Sequence, residues 1–201
     1  MNDPKSVLEP IAGYLLDVKN KLLQKPFVPH SLTKLQNLRY VKKASGATTI
    51  IEVGSYRGVT TKRLARIFKN VISIEIDENL HKIASDRCSK LSNVQVILGD
   101  GSELLPKIAP ETSNTLLFLD GHFSGGITGM GDIEEPVLQE LDLIASHLDN
   151  FVAFVIDDFR EFGVQPGWPK KYELFEKLET VFSSEDWQIS TQYDQIFVVR
   201  K

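Results

Sequence analysis

The chain has a single cysteine, Cys88, in 201 residues. It has no internal disulfide to form, so a reducing, cytoplasmic compartment is the expectation. Its helical neighbours make Cys88 a buried thiol rather than a nucleophile. The first thirty residues lack a long apolar run and carry Asp3, Lys5, Glu9, Asp17, Lys19 and Lys21. That excludes a signal peptide and a membrane span there. Basic runs and internal repeats are missing too. With a net charge of −4, the composition argues against a nucleic-acid backbone as the main partner. No Gly-Lys-Ser/Thr occurs, which removes a nucleotide-triphosphate loop.

What is present centres on residues 48–60. Thr48 to Val53 is a β-branched run suited to a strand buried on both faces. A turn bracketed by Gly54 and Gly58 follows, then residues 59–69 with apolar positions 64, 67 and 68 and a basic last turn. Strand, glycine turn and helix form the nucleoside-binding unit of a doubly wound sheet. A dinucleotide fingerprint needs a third glycine, and Tyr56 stands in its place. Glu52, two residues before Gly54, would repel a pyrophosphate and accept a hydrogen bond from an ammonium group. S-adenosylmethionine (SAM), with an α-amino group and a sulfonium, suits that turn better than NAD. The same two glycines also suit a plain tight turn.

Before this unit lie two amphipathic stretches, about 5–25 and 31–45, with Ser31 as the expected N-cap of the second. Residues 1–46 are read as a helical cover on a core of 47–201, all in one domain. Beyond residue 48, strands at 71–76, 94–98, 115–119 and 151–156 alternate with helices. The last two strands, 187–191 and 195–200, are separated too briefly for a crossover and must be antiparallel. The fold class is therefore α/β: a Rossmann-like, mostly parallel sheet with one reversed strand and helices on both faces.

Ligands of such sheets bind beyond the carboxyl ends of the strands. Acids collect there: Glu52, Glu75, Asp100, Asp120, Asp157 and Asp158. Glu75, about twenty residues past the turn, is placed to take both hydroxyls of a ribose. Asp100 either meets an adenine edge or caps the next helix. Asp120, Asp157 and Asp158 end neighbouring strands, and like charges gathered together call for a cation. Oxygen-only donors point to Mg²⁺; the alternative is that a single acid faces the pocket. His122 is a candidate general base, or it stacks on an adenine or hydrogen-bonds the loop. His30, His81 and His147 read as structural or exposed.

These residues resemble the class I SAM-dependent methyltransferases over nearly the whole chain, and among them the metal-dependent catechol O-methyltransferase and macrolide-sugar O-methyltransferase type. The resemblance rests on Glu52 to Thr60, Ile72 to Ile76, Leu117 to His122, and Val155 to Asp158. It implies a seven-stranded sheet and SAM contacts from Glu52, Gly54, Ser55, Tyr56, Gly58, Thr60, Glu75, Ile76, Asp100, Gly101, Ser102 and Asp120. It also implies Mg²⁺ ligation by Asp120, Asp157 and Asp158, with Asp120 and His122 catalytic. The lysine base of the catechol enzyme has no counterpart in residues 121–131.

The resulting expectation is Mg²⁺-dependent O-methylation of a small-molecule hydroxyl, without nucleic acid or membrane, by a monomer or homodimer. Phe123, Phe159, Phe162 and Trp168 would wall the acceptor site. Base methylation is disfavoured because an Asn-Pro-Pro-Tyr type of motif is missing. The rival readings are a metal-independent N- or C-methyltransferase and a non-catalytic SAM-binding module.

Overall fold

The computed structural model describes residues 8–25, 27–120 and 136–201. His122 and Phe123 lie outside the described residues. Two helices come first, α1 (Leu8–Leu22) and α2 (Ser31–Ser45). Alternation then begins with β1 (Thr49–Val53), α3 (Val59–Leu64), β2 (Asn70–Glu75) and α4 (Glu78–Cys88). It continues through β3 (Val94–Leu98), α5 (Gly101–Ile108), β4 (Thr115–Leu119), α6 (Val137–Ile144) and β5 (Phe151–Ile156). The remainder is α7 (Lys171–Val181), β6 (Trp187–Gln192) and β7 (Gln195–Arg200).

The strands form one seven-stranded sheet in the order β3-β2-β1-β4-β5-β7-β6. Strands β1 to β5 pair in parallel. Strand β7 is reversed against both of its neighbours, β5 and β6. The sheet reverses direction of winding between β1 and β4, and the crevice at their carboxyl ends is where this fold places a ligand.

Strands buried on both faces explain the unbroken apolar runs. Ile50, Val71, Leu116, Phe118, Val155 and Phe197 pack under α2 and α3, against Leu38, Val41, Leu64 and Phe68. Ile51, Ile74, Leu117, Phe154 and Val198 face the other way, against α5, α6 and α7. Each fully buried Leu, Ile or Phe contributes about 1.5–3 kcal/mol, so the sheet is the anchor of everything at its edge.

Local signals set the helix starts. The Asp77 carboxylate accepts from the Asn79 and Leu80 amides and caps α4. The expected cap of α2 is corrected: His30 holds that position, and Ser31 begins the helix. The buried Asp17 on α1 explains the choice. It accepts from the His30 amide at 2.7 Å and the Thr33 hydroxyl at 2.5 Å, and it contacts His30 Nδ1 at 2.7 Å. His30 is thus structural, but with an acid partner that its sequence position did not reveal. Cys88 is buried on α4, and His81 Nε2 lies 3.3 Å from the Val96 carbonyl. Among the described residues no helix is long and apolar enough to cross a membrane.

Candidate functional site

The turn after β1 is held by its own backbone. The Gly54 and Ser55 amides both donate to the Ile74 carbonyl, at 3.0 and 3.1 Å, and the Gly58 amide donates to the Ser55 carbonyl. The Tyr56 amide donates to Glu75 Oε2 at 2.6 Å. With these donors occupied the turn is no phosphate cradle, in line with the exclusion of a pyrophosphate ligand. Gly58 is required at φ 69°, and a Cβ there would stand 2.9 Å from the Ala84 Cα, so α4 abuts the turn directly. Tyr56, also at positive φ (49°), leaves its ring exposed at the mouth.

Glu75 ends β2 and reaches toward this turn. Its Oε1 accepts from the Asp77 amide at 3.1 Å. Burial raises its carboxyl pKa, and the Asp77 and Tyr56 amides counter part of the rise. Each carboxylate oxygen keeps a further lone pair, so a pair of ribose hydroxyls remains a chemical fit.

Glu52 behaves differently from the expectation of a carboxylate projecting into the pocket. It is fully buried beneath the turn. Its Oε2 accepts from the Thr61 and Ser73 hydroxyls at 2.6 and 2.5 Å. Oε1 has no hydrogen-bond partner among the described residues. Burial pushes the carboxyl up to about 7 against those two hydrogen bonds.

The remaining expected cofactor residues divide. Ser55 is buried, and its hydroxyl bonds Ser73 and the Ile74 carbonyl, so only its backbone borders the crevice. Thr60 and Ile76 are half-buried at the start of α3 and the end of β2. Asp100 caps α5, with Oδ1 accepting from the Ser102 amide at 2.7 Å, which decides for the capping reading of that oxygen. Gly101 is buried where a Cβ would meet Val53 at 2.8 Å, so α5 begins in contact with β1.

The acids of β4 and β5 come together with an unexpected cation. Lys34, from the first turn of α2, places Nζ 2.8 Å from Asp157 Oδ2 and 2.7 Å from Asp158 Oδ1. Burial alone would lower the Lys34 pKa, but Asp157, Asp120 and Asp158 outweigh it and raise it. Burial also raises the Asp120 carboxyl well above its ordinary value; Asp157 adds to this and Lys34 opposes it. Asp157 is raised by burial as well, with Lys34 pulling it down. Asp158 takes a left-handed conformation, φ 49°, at the strand end.

The three described carboxylates whose oxygens all lie within 4.8 Å of one another are Asp157, Asp158 and Asp194. This group joins Asp157 and Asp158 of the expected Mg²⁺ triad with Asp194, from the β6–β7 turn, and does not include Asp120. Asp194 in turn bonds Arg160, through both its guanidinium and its amide, and Arg160 also lies 2.8 Å from Asp158 Oδ1. Lys34 and Arg160 set two positive charges against these three carboxylates, at oxygens a divalent ion would need, so the arrangement does not fit an added ion.

The expected aromatic wall is also revised. Phe162 is buried in the core against Phe159 and Trp168, with ring centroids 6.4 and 5.1 Å away. These rings support α7 and the 159–169 segment. Lys34, Arg160 and Asp194 escaped sequence reasoning. The one signal was Lys34 itself, which shares a helical stripe with Leu38 and Val41.

The sheet order, the reversed β7 and the crevice between β1 and β4 are those of the class I SAM-dependent methyltransferase fold. The chain is similar in structure to an O-methyltransferase from Bacillus cereus in complex with SAH, at TM-score 0.65 and 19% identity, covering 100% of this chain and 94% of that one. A second likeness is an O-methyltransferase of tomaymycin synthesis from Streptomyces achromogenes in complex with SAM. There the TM-score is 0.61 at 15% identity, covering 90% of this chain and 86% of that one.

In sequence, residues 18–108 match the family model of ribosomal RNA adenine dimethylase. A probable ribosomal RNA small subunit methyltransferase A from Methanosarcina acetivorans is 36% identical over 81 residues. That alignment spans 40% of this chain and 30% of the relative. These matches overturn the expectation of a small-molecule acceptor and no nucleic acid. The physical reason lies in charge placement. Of the 23 basic residues, twelve fall between Val18 and Asn70, where Glu52 is the one acid; the other 26 of the 27 acids lie elsewhere. A whole-chain sum conceals this basic segment. Within it α2 and α3 meet, Arg63 Nη1 donating to Ser31 Oγ and Lys42 lying over the Phe68 ring.

Proposed function

We propose that this chain is a SAM-dependent methyltransferase that methylates a nitrogen of RNA without a metal ion. The observation that carries the first part is the Glu75 carboxylate drawn to the glycine turn at the β1–β4 crevice. SAM supplies an electrophilic methyl group on sulfur. Glu75 holds the ribose hydroxyls, the open Glu52 Oε1 takes the α-amino group, and Gly101 and Ser102 border the adenine. Mg²⁺-dependent O-methylation finds no support in the acid cluster, because Lys34 and Arg160 already meet one oxygen each of Asp157, Asp158 and Asp194.

RNA as acceptor is supported by the names of the matching family and relative, and by the basic segment of α2 and α3. Asp120 ends β4 beside that crevice, its amide bonded to the Val53 carbonyl of β1. A carboxylate there accepts a hydrogen bond from an exocyclic amine. The bond from nitrogen to methyl forms as the bond from sulfur to methyl breaks, and the amine proton leaves to Asp120. A base of raised pKa is better matched to that transfer near neutrality.

The deciding experiment incubates the full chain with methyl-labelled SAM, EDTA and unmodified small-subunit ribosomal RNA, followed by nucleoside mass spectrometry. Label on a base nitrogen is expected. Calorimetric SAM binding with no label in RNA would leave a SAM-binding module and overturn the acceptor; no SAM binding overturns the whole reading.

A further inference from the structure

We propose that the Lys34 ammonium is the resident cation of the strand-end acid cluster and holds the position a divalent ion would need. This rests on the reading of the crevice as a methyl-transfer site, and it concerns the chain's own residues rather than the acceptor.

Lys34 is not a surface side chain that happened to fall on an acid. The start of α2 is fixed on both sides of it. Asp17 grips His30 and the Thr33 hydroxyl one residue before. One turn later, Asn37 Nδ2 donates to Gln195 Oε1 of β7 at 2.7 Å in a buried contact. Lys34 sits between these two ties, with its side chain 21% exposed. Its Nζ then meets Asp157 and Asp158 together, at 2.8 and 2.7 Å.

The groups facing the cluster are Asp120 from β4, Asp157 and Asp158 from β5, Asp194 from the β6–β7 turn, Lys34 from α2 and Arg160. A hard divalent cation needs carboxylate oxygens at roughly 2.0–2.6 Å. It would claim the same Asp157 and Asp158 oxygens that now face Nζ, and a second positive charge cannot share them. The ammonium therefore excludes the metal and holds the Asp157 and Asp158 carboxylates in place. Lys34 is a positioning residue: it donates no electrons and accepts no proton.

The test uses Mn²⁺ as probe, followed by electron paramagnetic resonance on the full chain without acceptor. The native protein should bind Mn²⁺ no tighter than millimolar. Lys34→Met should gain a one-to-one site at least tenfold tighter, and adding Asp158→Asn should remove it. Lys34→Arg, which keeps the charge, should behave as the native chain. Micromolar Mn²⁺ binding by the native protein overturns the proposal, and so does a folded Lys34→Met variant that gains nothing. If Lys34→Met does not fold, the native and Lys34→Arg titrations still decide, since tight binding by either contradicts a resident ammonium. SAM calorimetry on the same samples separates the two failures: lost SAM binding strikes the methyltransferase reading and leaves the Mn²⁺ comparison intact.

Discussion

The Glu75 carboxylate accepts a hydrogen bond from the Tyr56 backbone amide at 2.6 Å, linking the end of β2 to the turn that follows β1. The acid is thereby aimed before any ligand arrives. Glu75→Gln keeps the size and one acceptor but loses the charge and the paired geometry for two hydroxyls. SAM and SAH affinity should fall tenfold or more, about 1.4 kcal/mol, while the melting temperature moves by only a few degrees. Calorimetry beside thermal unfolding checks this; unchanged affinity would take Glu75 out of the binding site.

Glu52 sets a pH dependence. Burial raises its folded carboxyl to about 7, outweighing the hydrogen bonds from Ser73 and Thr61. The native state therefore binds more protons than the unfolded chain between about pH 4.5 and 7. Stability from this group is highest below that window and falls as pH rises through it, by up to about 3 kcal/mol at 1.36 kcal/mol per unit. Glu52→Gln should flatten the curve and be the more stable form at pH 8. On the proposed contact of the SAM α-amino group with Oε1, the ionised carboxyl is favoured, so native SAM affinity should rise from pH 6 to pH 8 and that of the variant should not. Parallel pH series of urea unfolding and calorimetry measure both.

Gly58 is the conformational pin of the turn. Alanine there must hold φ near 69° and place its Cβ 2.9 Å from the Ala84 Cα, a backbone atom that cannot step aside. The left-handed conformation alone costs roughly 1–2 kcal/mol. Gly58→Ala should lose at least that much stability and weaken SAM binding as the turn shifts. A variant as stable as the native chain would show that α4 yields easily.

The basic segment makes RNA binding salt-dependent. Lys43, Lys62, Arg66 and Lys69 are exposed along α2, α3 and the segment after α3. Each phosphate neutralised adds about −0.9 to the slope of log K against log salt for a duplex. Reversing Arg66 and Lys69 to glutamate should flatten that slope by about two units and leave SAM affinity untouched. Fluorescence anisotropy across a salt series reads the first and calorimetry the second.

Much of the fold was legible because its causes are local. Runs such as Thr115 to Leu119 and Phe151 to Ile156 can bury both faces only inside a parallel sheet, and Gln192 to Asp194 is too short to permit anything but a reversed β7. The place of Glu75 at the end of β2 was legible for a similar reason, since it follows from the strand register. The acid cluster was less so. Asp194 reaches Asp158 from 36 positions away through the β6–β7 turn, and Lys34 from 124 positions away through the docking of α2. No spacing rule encodes either meeting. The partner class was misread because charge was summed over the chain, when the sign changes between Val18 to Asn70 and the remainder.

Among the described strands β6 is hydrogen-bonded to β7 alone, and its Trp187 ring packs on Phe154 of β5. Its ladder bonds all run to β7, so that ladder forms only once β7 is in place or the two add to β5 as a preformed hairpin. In either order the outermost strand is first to loosen, and amide exchange along Trp187 to Gln192 should outrun that of β5. Asp194 rides on the tip of this hairpin, so each such opening also carries one acid away from Arg160 and briefly unbalances the cluster beyond.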